Sequence, residues 1–148
     1  MKSGVSVIIC CYNSAKRLPE TLHHLLQQKD ANVDWEIVIV DNASTDNTAV
    51  VANEILAKEL PADKYKVVTE KQPGLIFARK KGFSVAQYDK LLYCDDDNWL
   101  DENYIKNAVE ILNTHSDIMV LGGKGEPVFE KPKPVWFDKY HGSFAVGP

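Results

Sequence analysis

Three short polar stretches carry the chemistry this chain can do. Tyr12-Asn13, Asp41-Asn42 and Asp95-Asp96-Asp97 each follow at once on an apolar run. Three adjacent carboxylates are costly in an apolar site without a counter-charge. A divalent cation is the usual remedy, and Mg2+ or Mn2+ prefers oxygen ligands. A flat aromatic beside Asp or Asn suits a nucleobase, by stacking and edge hydrogen bonds. Carboxylates with a metal suit a diphosphate. Taken singly, each stretch also reads as a solvated turn, since Asn and Asp favour turns and Asp101-Glu102 open a helical pattern just after the aspartates. Arg79 follows the Pro73-Gly74 turn early in a helical segment. Its guanidinium could meet an anionic ligand together with the helix N-terminus. The alternative is a solvated helix face, because Lys80 and Lys81 come next. Asp46 reads as a helix N-cap or first-turn carboxylate.

The elements that must position these groups alternate between strand and helix. Val5 to Cys11 and Trp35 to Val40 are continuous apolar runs, the pattern of strands buried on both faces. Tyr65 to Thr69 is a shorter strand, Leu91 to Tyr93 a fourth, and Ile118 to Leu121 a fifth, ended by Gly122-Gly123. Helices are expected from Leu18 (Leu18, Leu22, Leu25 and Leu26 recur at helical spacing), over Thr48 to Leu60, Leu75 to Ala86 and Asp101 to His115. Strand and helix in alternation predict an α/β fold with a mostly parallel sheet. In such a sheet all three polar stretches fall on one edge, where open α/β sheets bind ligands. Their convergence favours a nucleotide-phosphate site.

Composition narrows the class. The chain has 148 residues, 45% hydrophobic and 26% charged, with a net charge of −4, as in a globular domain of ordinary size. It has no basic stripe, which argues against nucleic acid as a partner. GxGxxG and GxxxxGK[ST] are both absent, which excludes the usual dinucleotide and P-loop sites. Cys10, Cys11 and Cys94 form no CxxC and read as small buried side chains, consistent with a reducing, cytoplasmic compartment. His23, His24, His115 and His141 have no metal-ligand spacing. The first apolar run is too short to span a membrane. Residues 1–125 form the expected core. From 126 to 148 prolines and aromatics replace the pattern, as at the start of an incomplete second region of a longer protein.

Four segments in order resemble the family 2 glycosyltransferases with the GT-A fold. SVIICCYN resembles the first strand and its Tyr-Asn, and EIVIVDNASTDNT the second-strand signature. PGLIFARKKG resembles the family's Gly-x-x-x-Ala-Arg-Asn-x-Gly segment, and LLYCDDDNWL the strand ending in an Asp-x-Asp metal motif. The resemblance implies an inverting enzyme that uses Mg2+ or Mn2+ to move a sugar from a nucleoside diphosphate to a glycan or lipid-linked acceptor. It implies that Tyr12 packs on the base with Asn13 beside it, and that Asp41 and Asn42 contact base and ribose. Arg79 would help hold the nucleotide, Asp95 and Asp96 would approach ribose and sugar, and Asp97 would bind the metal. The departures are Cys10 for Pro or Thr, Asn42 for a common Asp, and Lys80 for the Asn after the Arg.

The family's general base lies well downstream of the metal motif. Glu126, Glu130 and Asp138 are the carboxylates that remain, and the base is expected beyond Pro148. The isolated chain is therefore expected to bind donor, to transfer little sugar, and to self-associate through its aromatic tail. A full-length protein peripheral to a membrane is compatible with the resemblance. Two rival classes stay open: a non-catalytic nucleotide-binding or interaction module, and a magnesium phosphohydrolase with an Asp-x-Asp nucleophile.

Overall fold

The structure, a computed structural model, describes residues 1–29, 32–129 and 131–144. Four strands alternate with helices: β1 Lys2–Cys11, α1 Leu18–Leu26, β2 Trp35–Asn42, α2 Thr48–Glu59, β3 Tyr65–Glu70, α3 Leu75–Val85, β4 Tyr88–Asp95 and α4 Tyr104–Thr114. All pairings are parallel and the order is β3-β2-β1-β4. The α/β class and parallel sheet expected from the sequence are those observed.

The central strands are apolar on both faces because both faces are covered. Val7, Ile8, Ile9 and Ile37 to Val40 are fully buried. On one face Val7, Ile9, Ile37 and Ile39 pack with Leu18, Leu22 and Leu25 of α1, Ala52 and Leu56 of α2, and Ile105 and Val109 of α4. On the other, Ile8, Val38 and Val40 pack with Ala78 of α3. Right-handed crossovers explain the division. The chain steps from β1 to β2 to β3 in one direction, then returns past β1 to β4, so α3 lies on the opposite face. α3 packs closely: a Cβ at Gly82 would stand 2.4 Å from Cγ2 of Ile8.

The register aligns the polar strand ends. Cys11 is opposite Asp41, Cys10 opposite Asp95, and Asp41 opposite Thr69. β1 is the point where strand order reverses, the place at which open α/β sheets leave a crevice.

The chain forms two compact units, Met1–Ile111 and Leu112–Pro148. The expected fifth strand at Ile118 to Leu121 is absent. The segment pairs with no described strand, and Met119 and Val120 are 86% and 88% exposed. An apolar run becomes a strand only where a neighbour takes its backbone hydrogen bonds. The helix expected from Asp101 begins at Tyr104, because Asp101 spends its carboxylate on the Asn103 amide, 2.9 Å away, in the turn before it. In the second unit, Phe137 opens the short helix α5 Phe137–Tyr140 and packs against Phe129, Trp136 and Phe144. Trp136 and Phe144 remain about half exposed, at 52% and 48%.

Candidate functional site

The ends of β1 and β2 and the first turn of α3 enclose a cavity of about 230 Å³. Cys10, Cys11, Tyr12, Asn42, Pro73, Gly74, Leu75 and Ala78 line it. Its depth comes from the wall formed by the Gln72-Pro73-Gly74 turn, and Asn42 holds that wall. The buried Asn42 side chain donates to the carbonyls of Glu70 (3.1 Å) and Gln72 (2.7 Å) and accepts from the Gly74 amide at 2.8 Å. Gly74, at φ +130°, has a conformation that L side chains rarely adopt, and its carbonyl accepts the first helical amides of Phe77 and Ala78. Asn42 thus stands at the site by shaping it, its amide hydrogens already used.

Tyr12 leaves β1 with its ring 55% exposed at the cavity edge. Asn13 follows at φ 51° and joins two loops: its amide donates to Ser44 Oγ, and its Oδ1 accepts from the Thr45 amide at 2.8 Å. Asp46 receives the Thr48 hydroxyl and amide and the Ala15 amide. Its position suggested the N-cap or first turn of α2, but it is neither: Asn47 is the N-cap, and Asp46 braces the loop from one residue outside it, where the Thr48 hydroxyl foremost holds its carboxyl below the usual value. Asp41 differs from all of these. Its Oδ1 is buried and has no hydrogen-bond partner among the described residues.

Arg79 is exposed, with its guanidinium carbon 5.6 Å from the centre of the Tyr93 ring. Burial pushes the Cys10 thiol up to about 11, against a smaller downward pull from Arg79. Burial likewise raises Cys94 to about 12. Both thiols are neutral at physiological pH; Cys11 and Cys94 are buried as the sequence reading expected, whereas Cys10 is only partly buried and lines the cavity.

The three aspartates do not act alike. Asp95 and Asp97 are exposed, while Asp96 is 8% exposed and turned inward. Asp96 receives Nε of Arg17 at 2.9 Å, Nη2 of Arg17 at 3.0 Å, and the Ser14 hydroxyl, and its carbonyl accepts from Thr21 at 2.9 Å. The expectation that Asp96 approaches ribose and sugar meets a side chain already committed to this internal ion pair. Sequence reading missed Ser14, Arg17 and Thr21. Only Thr21, a polar residue on the apolar face of α1, left a signal. Among the described residues no group of three or more His, Cys, Asp or Glu is arranged to hold a metal. Glu126 is exposed, Asp138 is paired with Lys133 at 2.9 Å, and Glu130 lies outside the described residues. No helix among the described residues is long and apolar enough to cross a membrane.

This geometry has counterparts in known proteins. Residues 6–137 match the model of Glycosyl transferase family 2. The chain is 28% identical over 123 residues to the glycosyltransferase GlyG of Streptococcus pneumoniae, covering 82% of this chain and 39% of GlyG. It is 28% identical over 121 residues to the poly(ribitol-phosphate) beta-N-acetylglucosaminyltransferase TarS of Staphylococcus aureus, covering 81% of this chain and 21% of TarS. A crystal structure of S. aureus TarS in complex with UDP-GlcNAc superposes with a TM-score of 0.66 at 27% identity, covering 86% of this chain and 37% of that one. The mannosyltransferase PcManGT from Pyrobaculum calidifontis, in complex with GDP-Man and Mn2+, gives 0.67 at 28% identity, covering 76% of this chain and 33% of that one. The chain therefore spans well under half the length of these relatives. On its matched residues and on its sheet, it belongs to glycosyl transferase family 2 and has the GT-A fold.

Proposed function

We propose that this chain supplies the donor-binding half of an inverting glycosyltransferase, which moves a sugar from a nucleoside diphosphate to an acceptor hydroxyl. The observation that carries the reading is the unpartnered Asp41 Oδ1, buried at the end of β2 opposite Cys11 and next in sequence to Asn42; those two neighbours line the cavity, and Asp41 stands just behind its wall. A buried acceptor without a donor costs roughly 1–3 kcal/mol. The imide N–H of uracil or thymine, or the N1–H of guanine, removes that cost; adenine and cytosine present acceptors there. The exposed Tyr12 ring offers a stacking surface for the same base. Arg79, in the second turn of α3, offers an exposed guanidinium to the phosphates.

Asp95 and Asp97 fit Mg2+ or Mn2+ better as a shared site than as a preformed cage. Two exposed carboxylates leave coordination positions for diphosphate oxygens and water, the arrangement Mg2+ favours. When bound, the ion neutralises charge on the departing nucleoside diphosphate. The complexes of TarS with UDP-GlcNAc and of PcManGT with GDP-Man and Mn2+ support this reading.

Calorimetric titration with UDP, dTDP, GDP, CDP and ADP, each with Mn2+ or with chelator, tests it. UDP, dTDP or GDP should bind, and more tightly with metal. Asp97→Ala should remove most of the metal dependence. Tyr12→Ala and Asp41→Ala should weaken binding with little change in melting temperature. Equal affinity with metal and chelator would sink the metal assignment, CDP binding as well as UDP would sink the role of Asp41, and no nucleotide binding would sink the function.

A further inference from the structure

Arg17 is the residue on which the two halves of the strand-end site meet. It sits in the turn before α1, and its side chain is 48% exposed. Two of its nitrogens form a fork on Asp96, Nε to Oδ1 at 2.9 Å and Nη2 to Oδ2 at 3.0 Å. Nη2 also reaches the Tyr12 carbonyl at 3.2 Å and Ser14 Oγ at 3.5 Å. One guanidinium therefore joins the exit of β1 to the exit of β4. Ser14 is fully buried beneath it and Thr21 ties down the Asp96 carbonyl.

Charge gives this fork a second effect. Asp95, Asp96 and Asp97 bring three negative charges to one turn. Arg17 is paired with the middle one, which leaves two carboxylates facing out, a number a divalent cation balances. A bidentate pair also fixes the plane of the Asp96 carboxylate, and with it the backbone that aims its neighbours. Lysine, a point charge on a flexible stem, cannot reproduce that fork.

We propose that Arg17 is a positioning residue for the donor diphosphate: by clamping Asp96 inward it aims Asp95 and Asp97 at the ligand and sets the seat of Tyr12, without itself meeting the donor. The proposal rests on the donor reading above. Groups that orient metal-binding carboxylates typically change affinity by about 10- to 100-fold when removed.

The test measures UDP affinity by calorimetry with Mn2+ and with chelator, beside the melting temperature, in wild type, Arg17→Met, Arg17→Lys, Asp96→Asn and the Arg17→Met/Asp96→Asn pair. The ratio of the two affinities is the readout, because a merely structural role lowers melting without moving it. Arg17→Met should lower the ratio about tenfold or more, with Arg17→Lys intermediate. The double variant should recover part of the loss, since it no longer leaves a buried charge alone. Should Arg17→Met fail to fold, Arg17→Lys and the double variant carry the same comparison. A folded Arg17 variant with the wild-type ratio overturns the proposal. So does a double variant no better than Arg17→Met, which would mean that Arg17 meets the donor directly. Wild-type protein that binds no UDP removes the donor reading and this inference with it, whereas a wild-type response kept by the Arg17 variants removes this inference alone.

Discussion

Asn42 and Gly74 are joined across 32 residues of sequence, the Asn42 side-chain oxygen accepting the Gly74 amide at 2.8 Å. The Asn42 amide group donates to two carbonyls of the same turn. This explains why an amide stands where the family often has a carboxylate. An Asp would set an anion against two carbonyl oxygens and could donate to neither.

Asn42→Asp and Asn42→Ala should each lower stability by about 1–3 kcal/mol, the cost of leaving buried partners unmet. Both should also weaken nucleotide binding, because the turn is a cavity wall. Urea unfolding and UDP titration on the same variants check this. Loss of binding without loss of stability would instead mean that Asn42 reads the ligand.

A second buried pair lies at the opposite end of the strands. Glu36 is fully buried and accepts Ser6 Oγ (2.8 Å), the Gln87 amide (2.8 Å) and Lys66 Nζ (2.5 Å). Lys66→Met would leave that carboxylate without its counter-charge. Breaking a buried pair costs roughly 3–5 kcal/mol. The Lys66 side chain is 36% exposed, so about 2–3 kcal/mol is expected. Nucleotide affinity per folded molecule should not change. Denaturant unfolding with a parallel titration separates the two effects.

Acid should act through Asp46. Its hydrogen bonds, that from Thr48 foremost, hold its folded-state pKa below the usual 3.8. A depressed carboxyl pKa contributes stability that is complete above the unfolded value and is lost as pH falls through the folded one. The melting temperatures of wild type and Asp46→Asn should therefore differ at neutral pH and converge as the pH falls past 3.8 and through the lowered folded-state value. A gap that stays constant from neutral pH to pH 2 would show that the carboxylate charge is not what Thr48 and Ala15 hold.

The fold was legible where pattern and burial agree. The runs ending at Cys11 and Val40 are apolar throughout because two layers of helix cover them, and the four-leucine spacing of α1 needs only one face. The strand ends were legible for the same reason, since a polar residue that stops a buried run must surface at the sheet edge. Ile118 to Leu121 has the same local pattern, but no strand among the described residues pairs with it, and local pattern does not report a neighbour. Asp96 shows the other limit. Its partners Ser14, Arg17 and Thr21 lie 75 to 82 residues earlier, and nothing in an Asp-Asp-Asp run says which member turns inward.

The contact between Gly82 and Ile8 works like a shim of zero thickness. α3 rests on the sheet where residue 82 has no side chain, and the other end of the same rigid rod forms the cavity wall at Leu75 and Ala78. A single methyl group at 82 would have to lift or tilt the rod, since 2.4 Å is far inside van der Waals contact. The clearance over a bound base is thus fixed about one helical turn beyond Ala78 and two beyond Leu75, by a residue that does not line the cavity, so drift at position 82 would register as altered ligand fit as much as lost stability.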